Sequence, residues 1–401
     1  MPRSPWSTRA SAPAAGSARE LWWLGAFRFT RALAAGLISV AFPYLVLRRY
    51  TAVELGFIYS AAALATAALG LGVGFLTDLW GKKRTLVLVG ATLPLSAAIA
   101  YVEPHLGGMF AAAMIGGYSA TGSLAGGGVG GAAQPIQSSV IAGLTRPDRR
   151  TFFFSLFAFM SGMVAAAGSL WAGAFPTRTA FEAAAWISLA GLFCLWPMVI
   201  EETRGRIRHM PSLKVVGQFS VTGTLNGFSQ GLVMPFLIPF FVIVYHLPKS
   251  EMAEYAFIGG VLGACTLFLA PFLERQWGFV RAIAITRGIG AGLILLMPFW
   301  HLLAVALAVY VLTPALRVAA IPAQQTAITE LVTPEERGRA LGLNQVTRLG
   351  ASAGAVSLTG LSFGAADFAL PFIGYAAVVV INIGLYFRFF GKTGQPVENE
   401  G

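Results

Sequence analysis

Five arginines lie inside long apolar stretches of this chain: Arg28 and Arg31, three residues apart, then Arg287, Arg317 and Arg348. A guanidinium in that setting is costly, so it is either matched by a partner or placed for a ligand. Its planar fork of donors suits carboxylate and phosphate groups. Few acids are available to neutralise the five: Glu182, Asp367 and Glu330 all fall near the ends of apolar runs. Unpaired arginines here favour a small anionic ligand. The competing reading is that they snorkel towards water or pair locally, as Arg348 with Glu330. Amides add neutral hydrogen bonding, with Asn226 and Gln230 four apart on one helical face, and Gln134, Gln137 and Gln324 elsewhere. Buried amides more often satisfy a neighbouring helix than a ligand.

Other chemistry is absent. No nucleophile–base arrangement, nucleotide-binding glycine loop or metal-ligand spacing occurs, so no catalytic residue, cofactor or ATP hydrolysis is expected. Cys194 and Cys265 each lie in an apolar run and read as packing residues. His105, His209, His246 and His301 fall in loops or at run ends, and no acid lies in the middle of a run. A proton relay is therefore poorly furnished, with Glu54 as the only fallback.

These side chains must be positioned by membrane helices. The 401 residues are 56% hydrophobic and 11% charged, against about 25% charged in soluble domains. Twelve apolar runs are visible, at 21–47, 55–76, 86–102, 107–141, 152–175, 180–200, 215–245, 253–273, 282–299, 302–328, 341–363 and 368–387. Each is long enough to cross a hydrocarbon core of about 30 Å. The fourth is over-long, and 116–131 holds eight glycines, so its second half is expected to leave the membrane and its middle to bend. Pro43 and Pro239, at matching places in the first and seventh runs, predict a pair of symmetric kinks.

The positive charges set the topology. With the N-terminus inside, nineteen Lys and Arg fall in inner segments and four (Arg48, Arg49, Arg178, Lys249) in outer loops, which places both termini in the cytoplasm of a cell-membrane protein. The net charge of +11 is thereby accounted for without nucleic acid. The chain also repeats. Leu144-Thr-Arg-Pro-Asp-Arg-Arg150 matches Leu331-Val-Thr-Pro-Glu-Glu-Arg337, and Trp80-Gly81 matches Trp277-Gly278. Two six-helix halves in the same orientation are implied. They divide the chain into a disordered tail (1–19), a first bundle (20–200), a linker (201–214), a second bundle (215–390) and a second tail (391–401).

The segment Gly74-Phe-Leu-Thr-Asp78-Leu-Trp-Gly81-Lys82-Lys83-Arg84 joins the second and third runs. With its glycines, acid and basic triplet, it resembles the loop 2–3 signature of the major facilitator superfamily, and helix count, orientation and half-repeat extend the resemblance across the chain. The resemblance implies an all-α polytopic fold of twelve transmembrane helices in two pseudo-symmetric six-helix bundles that work by alternating access. It implies a central cavity lined by the first, fourth, seventh and tenth helices, so Arg28, Arg31 and Arg317, with Asn226 and Gln230, are the expected substrate residues. It implies that Asp78 and the basic cluster latch the cytoplasmic side, with Gly74 and Gly81 allowing close helix approach. The second-half copy departs from the pattern: Arg275 replaces the acid and Gly278 keeps the glycine. A first-helix acid and a Gly-Pro antiporter pattern are both missing, although Gly162, Gly168 and Gly173, and Gly350, Gly354 and Gly360, keep loose glycine spacing.

The expected activity is transport of a small solute, leaning to an organic anion, by a monomer in the lipid bilayer. Two alternatives stay open: efflux of hydrophobic or drug-like compounds, and a non-transporting receptor or assembly factor that kept the fold.

Overall fold

A computed structural model describes residues 17–118, 133–145, 150–200, 213–268, 270–300, 302–331 and 337–391. Residues 1–16 and 392–401 of the two tails and the linker segment 201–212 lie outside them. In a bilayer each backbone polar group must be satisfied within its own segment, which is why apolar runs of this length fold as helices. The first half comprises α1 Ser17–Leu47, α2 Ala52–Trp80, α3 Lys82–Val102, α4 Leu106–Gly116, α5 Gln134–Leu144, α6 Arg150–Ala174 and α7 Thr177–Phe193. The second comprises α8 Leu213–Val233, α9 Leu237–Val244, α10 Lys249–Thr266, α11 Ala270–Leu296, α12 Leu303–Leu331, α13 Arg337–Gly364 and α14 Ala369–Phe390. Six of the described helices are long and apolar enough to span a membrane by length and composition alone. Twelve runs become fourteen helices because the fourth and seventh are each divided.

The two halves are wired alike. In the first, α1 packs on α6 and α7, α3 on α4 and α7, and α2 on α4. In the second, α8 packs on α13 and α14, α11 on α12 and α14, and α10 on α12. The same correspondence relates the two main contacts between bundles, α2 with α13 and α6 with α10. Small residues bring these helices together. A Cβ on Gly173 would meet Ala253 and Ser250, and one on Gly162 would meet Ala264.

The fourth run divides at the start of the glycine-rich stretch that is expected to bend, whereas the seventh departs from expectation. α4 stops at Gly116 because Gly117 turns left-handed (φ 63°); residues 119–132 lie outside the described set, and α5 then resumes against the core. The seventh run breaks at the 3-10 segment Met234–Phe236, around Pro235, while Pro239 sits within α9. Pro43 lies inside an unbroken α1. The interruption of the seventh run thus lies at Pro235, not at Pro239. Pro235 removes one amide donor and crowds the preceding turn, and Thr359 Oγ1 covers the nearby Leu232 carbonyl at 2.7 Å.

The Trp-Gly repeat does have a structural counterpart. Gly81 (φ 84°, ψ 162°) and Gly278 (φ 71°, ψ 160°) adopt the same conformation at the turns joining α2 to α3 and entering the main part of α11. That region belongs essentially to glycine, and another residue held there costs about 1–3 kcal/mol. Gly81→Ala and Gly278→Ala should each lower the melting temperature of the purified protein, and near-additively, since the two turns lie in different bundles.

One end of the molecule is closed. The larger hydrophobic core mixes residues of both bundles, and its rings link them: Phe42 with Tyr59 (5.8 Å), Tyr59 with Phe236 (6.5 Å) and Phe236 with Phe363 (4.9 Å). Tyr44 donates to the Leu247 carbonyl at 2.7 Å, and Lys249 donates to the Phe175 carbonyl. At the other end, which carries the Gly81 and Gly278 turns, the described core is built from the first half alone.

Glycines on α2 and α13 trace the same divergence. A Cβ on Gly56 would sit 2.8 Å from the Gly360 Cα, whereas Gly70 and Gly342 have nothing within 4 Å. Gly70 lies within about 40° of the Gly56 face, and Gly342 lies on the Gly360 face, by 3.6 residues per turn. The two helices touch at the sealed end and part towards the motif end.

Candidate functional site

Beneath the seal lies a cavity of about 1010 Å³, counting space continuous with solvent. The first half contributes Ser39, Phe42, Tyr59, Tyr118 and Ser169, and the second Met234, Leu237, Tyr310, Thr313 and Arg317. The break at Met234–Phe236 therefore faces this space, where irregular backbone is tolerated. Tyr310, Thr313 and Arg317 recur at i, i+3 and i+7 and form one stripe of α12. That spacing is legible in the sequence. The places of Tyr118, Tyr59 and Phe42 in the wall are not: they follow from how the helices pack.

The expected substrate residues separate. Arg317, the middle residue of α12, borders the cavity; its Nε is buried with no hydrogen-bond partner. Arg28 and Arg31, 8% and 5% exposed, are absent from the cavity wall and are held inside the first bundle. Arg28 reaches Ser161 Oγ at 3.4 Å and lies over the Phe157 ring; Arg31 lies over Phe27 and donates to the Gly90 carbonyl at 2.9 Å.

That carbonyl identifies Arg31's work. Residue 94 is a proline within α3, so the amide that would normally bond to Gly90 does not exist. Arg31 supplies the missing donor. Arg31→Leu should destabilise the protein, and Pro94→Ala, which restores the helical donor, should offset part of the loss. A double-mutant cycle on thermal stability checks this, with a coupling of about 1 kcal/mol expected; zero coupling would refute the pairing.

Asn226 and Gln230 are buried and bonded to each other, Gln230 Nε2 to Asn226 Oδ1 at 3.1 Å. They form no part of the cavity wall. Gln230 also accepts from Arg348 at 3.4 Å, and Gln345 Oε1 accepts from Arg348 at 2.8 Å. Arg348 is thus anchored by neutral amides; the side chain of Glu330, its local partner in the competing reading, lies outside the described residues. Arg287 packs over the Tyr386 ring at 5.4 Å. Arg348 lies within electrostatic reach of Arg317 and Arg287, and Tyr375 within reach of the same two.

The gating segment is only partly described. Gly74 lies within α2, and Gly81 forms the turn. The side chains of Asp78, Glu274 and Arg275 lie outside the described residues. Arg84 is exposed. Lys83 is not simply solvated: its Nζ donates to the Trp196 and Met198 carbonyls at 2.8 and 2.7 Å. Those carbonyls lie just past the C-terminus of α7, where helical donors run out and Pro197 has none to give. Glu54, the fallback for proton coupling, forms a capping box with Thr51 at the start of α2. No cluster of three or more metal-ligating side chains occurs among the described residues.

Residues 24–355 match the sequence model of the Major Facilitator Superfamily. No curated protein sequence matches the chain. Among solved structures, the human organic anion transporter MFSD10 (TETRAN) aligns with a TM-score of 0.70 at 12% identity, covering 93% of this chain and 100% of its own. A bacterial homologue of the human lysosomal transporter Spinster, in an inward-facing and unoccupied conformation, gives 0.68 at 15% identity over 96% and 99%. A D-xylose–proton symporter gives 0.66 at 16% identity over 93% and 97%. Likenesses at such identities concern the fold, whereas the sequence match covers most of the chain: this protein belongs to the Major Facilitator Superfamily and is a membrane transporter, not an enzyme.

Proposed function

We propose that the protein carries a small organic anion across the cell membrane as a monomer, by alternating access between its two bundles. Arg317 is the observation that carries this reading. It borders the cavity with an unpartnered buried Nε, and no carboxylate among the described residues pairs with it. A guanidinium so placed is completed by a ligand oxyanion. The surrounding Phe42, Tyr59, Tyr118, Met234 and Tyr310 suit an anion with an apolar body. The likeness to an organic anion transporter agrees with this, at the level of fold. Efflux of a neutral hydrophobic compound draws on the same apolar wall but leaves Arg317 without a purpose.

The excess of basic residues puts the motif end, with both termini, in the cytoplasm. On that orientation the described conformation is closed to the outside and parted towards the inside. The bundles at 20–200 and 215–390, joined by 201–214, would then rock to the opposite state. Asp78, with Lys82 and Arg84, would latch it on the inner side, while Arg275 makes the second-half copy electrically unlike it. Lys83, already committed within the first bundle, positions the loop.

The test is a thermal-shift screen of purified protein against matched organic anions, cations and neutral compounds. A ligand at a hundred times its Kd stabilises by about 2.7 kcal/mol, a readily resolved shift. Anions should produce it. Stabilisation by cations alone overturns the reading.

A further inference from the structure

The second bundle holds more positive charge near the cavity than a singly charged ligand would balance. Arg317 borders the cavity from the middle of α12, and Arg348, near the middle of α13, reaches Gln230, one helical turn before the cavity-lining Met234. Among the described residues neither is paired with a carboxylate: Arg317 Nε is unpartnered, and the hydrogen bonds of Arg348 go to the neutral amides Gln230 and Gln345. The acids of this half whose side chains are described, Glu251, Glu254 and Asp367, lie at or near the sealed end. Two uncompensated cations in a medium of low polarity repel each other and stay costly until negative charge arrives.

We propose that the cavity selects a head group bearing two negative charges, a phosphate monoester or a dicarboxylate, bound by Arg317 and favoured by the field of Arg348 behind it. This rests on the anion reading above and narrows it. Arg317 is the direct ligand, since it borders the cavity. Arg348 is a positioning and electrostatic residue: its two amide anchors hold it out of the cavity wall without neutralising it. Gln230 and Gln345 matter because they are not glutamates. A carboxylate at either place would form an ion pair with Arg348 and cancel the charge that distinguishes a dianion from a monoanion.

The experiment compares ligands of one shape and different charge: phenyl phosphate against methyl phenyl phosphate, and phthalate against benzoate. Each is titrated into the full-length protein at a pH above the second phosphate pKa of about 6, with affinity read from thermal shift or calorimetry. The dianion of at least one pair should bind about tenfold tighter than its monoanion, and the pair that responds identifies phosphate or dicarboxylate. Gln230→Glu, nearly isosteric, should shrink that ratio, lowering dianion affinity by a larger factor than monoanion affinity. Arg348→Gln should do the same if it folds. Equal binding of monoanion and dianion by the unmodified protein overturns this inference and leaves the anion reading standing. A dianion preference left unchanged by Gln230→Glu removes Arg348 from the account. Failure of every anion to bind overturns the anion reading, and this one with it.

Discussion

Replacing Arg317 by Gln should weaken anion binding by about thirtyfold or more while leaving the empty protein at least as stable as before. The two halves of that expectation have one cause. Without ligand, Arg317 is a guanidinium beside the cavity whose Nε is buried and unpartnered, and removing an uncompensated charge relieves a desolvation cost. With ligand, the same group makes a charge-assisted bond to the oxyanion. Truncating one partner of such a pair costs about 2–5 kcal/mol, a fall in affinity of about thirtyfold or more. Arg317→Lys keeps the charge but loses the fork, so it should retain part of the binding. Melting temperatures with and without ligand measure both halves at once. A purely structural Arg317 would show the reverse pattern, with lower stability and unchanged ligand response. Arg31→Leu is the internal control, expected to show that structural pattern.

Gly56→Leu should force open the end that the described conformation seals. The added Cβ alone would lie 2.8 Å from the Gly360 Cα and 3.2 Å from the Val356 carbonyl, and both are backbone atoms with no rotamer to yield. The bundles can avoid the clash only by separating α2 from α13 at that end. A reporter cysteine in the cavity wall, Ser39→Cys in a background lacking Cys194 and Cys265, reads this out. On the proposed orientation it should be labelled by a membrane-impermeant thiol reagent from outside in Gly56→Leu, and be protected when Gly56 is kept. Gly70→Leu is the counterpart. Nothing lies within 4 Å of its Cβ here, so the conformation tolerates it, but closing the motif end would bring α13 against it. Transport should fail while outside labelling stays low. Unchanged labelling in Gly56→Leu would place the seal elsewhere.

Much of the architecture was legible because its signals are local. Hydropathy runs encode helices in a bilayer, and the Trp80-Gly81 and Trp277-Gly278 repeats correspond to two turns of like geometry. The i, i+3, i+7 stripe of Tyr310, Thr313 and Arg317 was also present in the chain. Other features were illegible for a definite reason: their cause lies across the fold. Arg31 and Arg28 look like a substrate pair by spacing, yet their acceptors are 59 and 133 residues away. Lys83 looks like a topology signal, yet it serves carbonyls 113 and 115 residues on. Prolines mislead similarly. Pro43 and Pro239 align in sequence, but Pro235 breaks the seventh run, and packing decides which strained turn gives way.

The amino-acid sequence by itself determined the number of spans, their duplicated order and the family, because each depends on runs, charges and a loop of about ten residues read in place. It also determined that five arginines lie within the apolar runs. Only the tertiary structure decided which of them borders the cavity with a buried donor unpartnered, and which end of the cavity is shut. Whether a buried donor is satisfied depends on which distant carbonyl, hydroxyl or ring is carried to it when the helices pack, and Arg317 is where that packing brings none.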